Sequence, residues 1–528
     1  MKVLAADGVS PRGIEILREA GFTVEVKDKL TAEELLATIG AYDALIVRSA
    51  SKVTKEVLAA GKNLKIIGRA GVGVDNIDVS AATAAGVIVI NSPGGNTTAA
   101  TEHTIGMMLA MARHIPVANE TTQKGEWNRK QYVGVELRGK TLGVVGLGRI
   151  GAGVAKRAQA FGMNVIGYDP YVTEDRARVM GVELVTLEQI VERSDFITVH
   201  MPLTAETRNM FHKDNLAKMK KGVRLVNCAR GGIINEEDLA AAVKAGVVAG
   251  AAIDVFTTEP IPPDHPLLGL PGVVLTPHLG ASTIEAQIGV SIDVAEGIVS
   301  ALRGEPVMTA VNMAPVSPQV MNVIKPFFDL AERLGCMAEA LAEGAVRAVE
   351  VEYTGDITEV NTKLLTTAVL KGLLNPILET TVNYVNAPGL AKDRGIAVRE
   401  VKSKEAANFT NLITVKAETE KKTVVLQGAL FGSEGRVVSI DGYRVDVDPH
   451  KRILLCPHIN RPGIIGKVGS LMGDEGINIS GMQVGKTEQE GTNIMVLTID
   501  NEVPAAVIEQ VAALDGIFGA KLIDFDLL

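Results

Sequence analysis

Residues 144–151 read VVGLGRIG, and the fold turns on whether their G-x-G-x-x-G spacing carries meaning. The chain holds 54 glycines in 528 residues, so three glycines at fixed spacing arise by chance about once in two chains of this composition. Context therefore has to decide. KTLGVV (140–145) lies just before it, apolar and strand-like. RIGAGVAKRAQAFG (149–162) follows, with Ile150, Val154, Ala158 and Phe161 at helical spacing. NVIGYD (164–169) is a second strand that ends in Asp169 and is stopped by Pro170.

Each piece has a physical task in a strand–loop–helix cradle for a dinucleotide. Gly146 makes the turn, Gly148 lets backbone approach a pyrophosphate, and Gly151 lets the helix pack on the strand. Arg149 and Ile150 open the helix, whose N-terminal amides and positive dipole end favour phosphate. Asp169 accepts hydrogen bonds from ribose hydroxyls and repels a 2′-phosphate, so the expected cofactor is NAD rather than NADP.

The surroundings agree with a βα architecture. KVLAAD, FTVEVKD, ALIVRS, LKIIGRAG and VIVINSPG read as strands alternating with helical stretches such as PRGIEILREAG and TAEELLATIG, the latter capped by Thr31. A long apolar helix starts at Thr98, a second βα series runs from Lys140 to about Thr283, and residues 284–303 read as one helix. MAPVSP (313–318) marks a boundary. Beyond it come two helices and then β-rich sequence, and the last 80 residues read β-α-β-β-α-β, a ferredoxin-like unit.

Composition excludes several classes. The formal net charge is −9 and no Lys/Arg tract stands out, which argues against nucleic-acid binding. Cys228, Cys336 and Cys456 are too scattered for a disulfide framework or a metal pattern, so no metal is expected. No run of about 18 apolar residues is present for a membrane span, and the first residues lack the apolar core of a signal peptide. The expected setting is the cytoplasm.

Three strand ends then gather polar residues. VRLVNCARGGIINEEDL (223–239) carries Arg230, AAIDVFTTEP (251–260) carries Asp254 and Glu259, and VVLTPHLGAST (273–283) carries His278. Open parallel sheets bind ligands at such carboxyl ends. Together with GLGRIG, these stretches resemble the D-isomer-specific 2-hydroxyacid dehydrogenases over residues 1–316. The resemblance implies that His278 takes a C2 hydroxyl proton as hydride leaves for nicotinamide. It implies that Glu259 hydrogen-bonds His278 and favours the imidazolium, and that Arg230 pairs with the substrate carboxylate. Asp254 then faces the nicotinamide end, and Cys228, Ala229, Arg230, His278, Gly280 and Ala281 join the cofactor set. His103, His114 and His200 are read as structural.

The remaining stretches narrow the family. PHINRPGIIGKVGSLMGDEGINI (457–479) resembles the ACT domain of the serine-controlled D-3-phosphoglycerate dehydrogenases, and that likeness implies an L-serine site at His458, Asn460 and Asn478. The middle module resembles the intervening domain of their long form. The resemblance implies an oligomer contact there, with a second effector site as an open alternative. In VRSASKV (47–53) and GRAGVGVDNID (68–78), it makes Arg48 and Arg69 candidates for the phosphate and carboxylate ends of the substrate. Asn96 joins the substrate set. In GEWNRKQY (125–132), Arg129 is expected to reach a neighbouring subunit's cleft. NSPGGNTTAATEH (91–103) reads as a hinge between lobes.

The expected fold is therefore α/β, with two Rossmann-like doubly wound lobes, an α+β intervening domain and a ferredoxin-like ACT domain. The expected divisions are a substrate lobe at 1–97 and 288–316, an NAD-binding lobe at 98–287, an intervening domain at 317–448 and a regulatory domain at 449–528. The implied activity is NAD-dependent oxidation of 3-phosphoglycerate by a homo-oligomer, with a tetramer expected and feedback by serine. Two alternatives stay open. One is another 2-hydroxyacid dehydrogenase of the glyoxylate or hydroxypyruvate reductase type. The other is a non-metabolic NAD-sensing binding protein on the same fold.

Overall fold

The computed structural model describes all residues except 29, 306, 315, 380, 405–408, 488–490 and 526–528. One residue of the boundary stretch 313–318 thus lies outside the described residues. Three sheets organise the chain.

The first is five-stranded and parallel, in the order Thr23–Lys27, Lys2–Ala6, Ala44–Val47, Ile66–Arg69, Ile88–Asn91. Its inner strands are continuous apolar runs because helices cover both faces; every residue of Ala44–Val47 is buried. Thr31 caps the helix Ala32–Thr38 with a full capping box to Glu34. The later helix Ile284–Leu302 returns to this sheet and packs on the helix Pro11–Glu19. The two come so close that a Cβ at Gly13 would stand 2.8 Å from the Ser291 carbonyl oxygen.

The second sheet is seven-stranded and parallel. Its order is Val273–Leu275, Val248–Ile253, Val223–Asn227, Phe196–Val199, Thr141–Val145, Asn164–Tyr168, Glu183–Leu184. The winding direction reverses between Thr141–Val145 and Phe196–Val199, so a ligand crevice opens at the carboxyl ends there. The helix Thr97–Ala112, polar in its first half and apolar in its second, crosses between the two lobes and packs on the helix Arg149–Ala160.

The third sheet departs from the sequence pattern. The β-rich middle segment and the ferredoxin-like tail share one mixed sheet of ten strands. Strand Tyr443–Val447 pairs with Ile479–Lys486 at Arg444 and Lys486, and the Asp446 N–H donates to Gln483 Oε1 at 2.9 Å. One apolar core contains Leu330, Leu334 and Val437 from the middle segment and Ile453, Val496 and Phe525 from the tail. Within the tail, the order Ile479–Lys486, Thr492–Ile499, Arg452–Ile459, Lys521–Asp524 is that of a ferredoxin-like unit. Among the described residues no helix is long and apolar enough to cross a membrane.

Candidate active site

The glycine-rich loop joins strand Thr141–Val145 to helix Arg149–Ala160. Gly146 has φ +96°, a conformation that L side chains avoid. A Cβ at Gly151 would sit 1.9 Å from the Gly146 carbonyl oxygen, so the helix reaches the strand only with glycine there. A Cβ at Gly148 would meet open space, which leaves the loop surface free for a phosphate. Asp169 receives the Leu147 N–H at 2.8 Å and the Tyr171 N–H at 2.9 Å, one on each carboxylate oxygen. Each oxygen keeps a lone pair for a ribose hydroxyl. The residues thus fit a dinucleotide.

The other strand ends meet across from this loop. His278 Nδ1 lies 2.8 Å from Glu259 Oε2. Burial pushes the Glu259 carboxyl up, but the bond from His278 and another from the Phe256 N–H win and hold it below the usual carboxylate range. A carboxylate accepts only, so Nδ1 carries the proton and Nε2 is the open position.

His278 itself has φ +55°, which is strained for a residue other than glycine. Asp254 compensates. Its carbonyl accepts the His278 N–H at 2.8 Å, and its carboxylate accepts the N–H groups of Leu279 and Gly280 at 2.8 and 2.9 Å. Thr276 Oγ1 donates to the same carboxylate at 2.6 Å, and His103 Nε2 lies 3.1 Å from it. Asp254 is fully buried, and these bonds outweigh the burial that would raise its pKa, leaving it below the ordinary range. The expected nicotinamide-facing residue is therefore also the anchor of the turn that carries His278.

Arg230 follows strand Val223–Asn227. Its Nε donates to Asp75 Oδ2 at 3.1 Å, 155 positions away, and its Nη1 to its neighbour's carbonyl at Ala229, 2.7 Å. Arg69 lies nearby with a largely buried guanidinium. Burial first, and then the neighbouring Arg230, lower its pKa to about 10. Its Nε has no hydrogen-bond partner. Arg48 sits at the end of the adjacent strand, where its N–H donates to Asp7 at 3.0 Å. Asn96 stands at the start of the crossing helix without a side-chain capping bond, and its Oδ1 is buried without a partner. Polar atoms buried without partners are uncommon in folded proteins and mark places where a ligand can bond.

Other candidates stand apart. Arg129 is exposed in a segment whose Trp127 is 82% exposed. In the tail, His458 is buried, its Nδ1 lies 2.9 Å from the Ile459 carbonyl and its Nε2 has no partner. Asn460 and Asn478 are exposed, and Asn478 Nδ2 donates to Asp500 at 2.9 Å.

His103, Cys228 and Asp254 bring three potential metal ligands within 4.8 Å of one another. Their state disfavours a cation: Asp254 is already occupied by protein donors, and burial pushes the Cys228 thiol up to about 12, so it stays neutral. His200 is likewise neutral, lowered by burial to about 4. Sequence reading missed Asp75 and treated His103 as structural. Asp75 stands in the quoted stretch GRAGVGVDNID, but only the fold brings it to Arg230.

The chain is similar to known proteins along nearly its whole length. Residues 105–280 match the D-isomer specific 2-hydroxyacid dehydrogenase NAD binding domain, 323–441 the D-3-phosphoglycerate dehydrogenase intervening domain, and 453–516 the ACT domain. The chain is similar to an NAD-dependent formate dehydrogenase from Staphylococcus aureus solved with NAD, at 32% identity and a TM-score of 0.55, covering 60% of this chain and all of that one. It is 45% identical to D-3-phosphoglycerate dehydrogenase from Bacillus subtilis, over 99% of both chains. It is 46% identical to that of Archaeoglobus fulgidus, over 99% of this chain and the whole of that one. An NAD-binding domain, an intervening domain and an ACT domain thus follow one another in a chain that aligns nearly end to end with these two D-3-phosphoglycerate dehydrogenases, and the chain belongs to the D-3-phosphoglycerate dehydrogenase family.

Proposed function

We propose that the chain oxidises the C2 hydroxyl of 3-phospho-D-glycerate to give 3-phosphohydroxypyruvate, the entry step of serine biosynthesis, in the cleft between its first two sheets. The observation that carries this reading is the 2.8 Å bond between His278 Nδ1 and Glu259, which leaves Nε2 to take the hydroxyl proton. NAD, bound over Gly146–Gly151 and Asp169, supplies the hydride acceptor. Arg230 pairs with the substrate carboxylate. The phosphate is held by Arg48, Arg69 and a neighbouring subunit's counterpart of Arg129 in a homo-oligomer, a tetramer in our reading. The clustering of Arg48, Arg69 and Arg230 supports a substrate with two anionic groups, since three guanidinia beside only two carboxylates, Asp7 and Asp75, leave a net positive charge.

Serine acts as an allosteric effector at His458, Asn460 and Asn478. The unpartnered ring nitrogen of His458 supports this, because a ligand group there would satisfy a buried polar atom. We place the enzyme in the cytoplasm. The test is initial rates across a panel of 2-hydroxy and 2-oxo acids, with and without serine. The reading requires 3-phosphoglycerate to be the preferred hydroxy acid and serine to slow it. A preference for glycolate or glycerate would retire the substrate assignment.

A further inference from the structure

We propose that Asp75 is a positioning residue for Arg230, so that the clamp for the substrate carboxylate exists only when the two lobes meet. The inference rests on the reading of Arg230 as the partner of that carboxylate.

The two residues belong to different lobes. Asp75 lies in the loop after strand Ile66–Arg69 of the first sheet, and Arg230 in the loop after strand Val223–Asn227 of the second. The Arg230 backbone is firmly held: Asn227 Nδ2 donates to its carbonyl at 2.9 Å, and Asn227 Oδ1 accepts the Ala229 N–H at 3.0 Å. Its side chain is held at two nitrogens, Nε by Asp75 and Nη1 by the Ala229 carbonyl. Nη2 makes no hydrogen bond among the described residues. It rests against Gly73, where a Cβ would stand 1.8 Å from it.

This arrangement leaves one edge of the planar fork available. A carboxylate is matched by two parallel N–H groups, and the remaining Nη hydrogens supply them. Both side and tilt of that edge depend on the Nε bond. The Ala229 carbonyl belongs to Arg230's own loop and stays with it whether the cleft is open or shut. Asp75 belongs to the opposite lobe and leaves when the lobes separate. Arg230 then keeps a single local partner, and its long side chain regains rotamer freedom. Lobe closure and assembly of the carboxylate clamp are thus one event.

The pair is not a stabilising device in the ordinary sense. The Asp75 side chain is 68% exposed, and ion pairs exposed to that degree contribute little to stability. Its charge also opposes an anionic substrate. A competitor for Arg230 and a positioner of Arg230 therefore predict opposite results on removal.

The test compares the full-length Asp75→Ala and Asp75→Asn variants with wild type. Steady-state kinetics, NADH affinity by fluorescence and melting temperature are measured for each. Asp75→Ala is expected to lower kcat about 10- to 100-fold and to raise KM for the hydroxy acid, because a clamp misplaced by an ångström costs that much. NADH affinity should stay within about twofold, since the loop at Gly146–Gly151 and Asp169 carry most of the proposed cofactor binding. Asp75→Asn keeps an oxygen acceptor for Nε and should recover most of the lost kcat. Three results overturn the proposal: wild-type kinetics in Asp75→Ala, a lowered KM in Asp75→Ala, or equal impairment in Ala and Asn variants. A wild-type chain inactive on 3-phosphoglycerate would retire the proposed substrate instead. The same comparison would then be read on whichever 2-hydroxy acid turns over, since each carries the carboxylate.

Discussion

In the interlobe cleft, His278, Arg230 and Asp254 are each held by partners from another strand end, and the set is complete within one chain. In the tail, His458 is buried with a free ring nitrogen, Asn460 is exposed and Asn478 is tied to Asp500. No hydrogen bond joins these three to one another among the described residues. The difference reflects how each region is built. A parallel sheet collects successive loops at one edge, so residues remote in sequence converge without help. The two exposed asparagines of the ferredoxin-like unit lie on its surface, and a site made from them needs something laid against that surface.

The strongest way to break this comparison is His278→Ala. Loss of the proton acceptor should cut kcat about 100- to 10,000-fold, while NADH binding, followed by fluorescence, remains near wild type. Retained turnover would show that the convergence at His278 is not catalytic.

Asp254→Asn tests whether the cleft's order is built in. An amide that replaces one carboxylate oxygen with a donor faces backbone N–H groups, and the mismatch should cost about 1–3 kcal/mol of stability in thermal or denaturant melts. The sign with pH follows from the lowered Asp254 pKa. A carboxylate with a depressed folded value contributes its full stabilisation above the ordinary carboxylate range and loses it as pH falls through the folded value. The gap between wild type and variant should therefore narrow in acid. A gap independent of pH would remove the charge from the explanation.

Asp169→Ala should shift the ratio of kcat/KM for NAD over NADP by about tenfold, the worth of one or two hydrogen bonds to the ribose. An unmoved ratio would leave the Leu147 and Tyr171 N–H bonds as that carboxylate's whole role. The smallest expected effect on catalysis sharpens the other half of the comparison. Asn478→Ala should leave kcat and KM near wild type and raise the serine concentration for half inhibition about fivefold or more. Inhibition at the original concentration would move the effector elsewhere.

Much of this was legible in the residues. The βα alternation predicts both parallel sheets because period and apolar runs are local signals. VVGLGRIG predicts its own loop because its glycines answer to backbone sterics within a few residues: Gly146 has positive φ and Gly151 has no room for a Cβ. The Thr31 cap was readable for the same reason. Asp75 was not, because a loop carboxylate carries no sign of a guanidinium 155 positions away. The partner of His103 was not legible either, because nothing local links the crossing helix to Asp254. The tail read as its own unit since strand–helix rhythm changes there. Pairing between Tyr443–Val447 and Ile479–Lys486 depends on edges meeting in space.

What the sequence by itself determined is the set of local conformations, the family and the chemical types assembled for the reaction. Backbone freedom, helix capping and apolar period act over a handful of residues and are written where they act. The tertiary structure alone decided that Asp254 braces the turn of His278, that Asp75 spans the lobes to Arg230, and that the middle and tail segments form one ten-stranded sheet. Those are pairings between groups far apart in the chain, and only the packing of helices on sheets determines which of many possible partners comes within bonding distance.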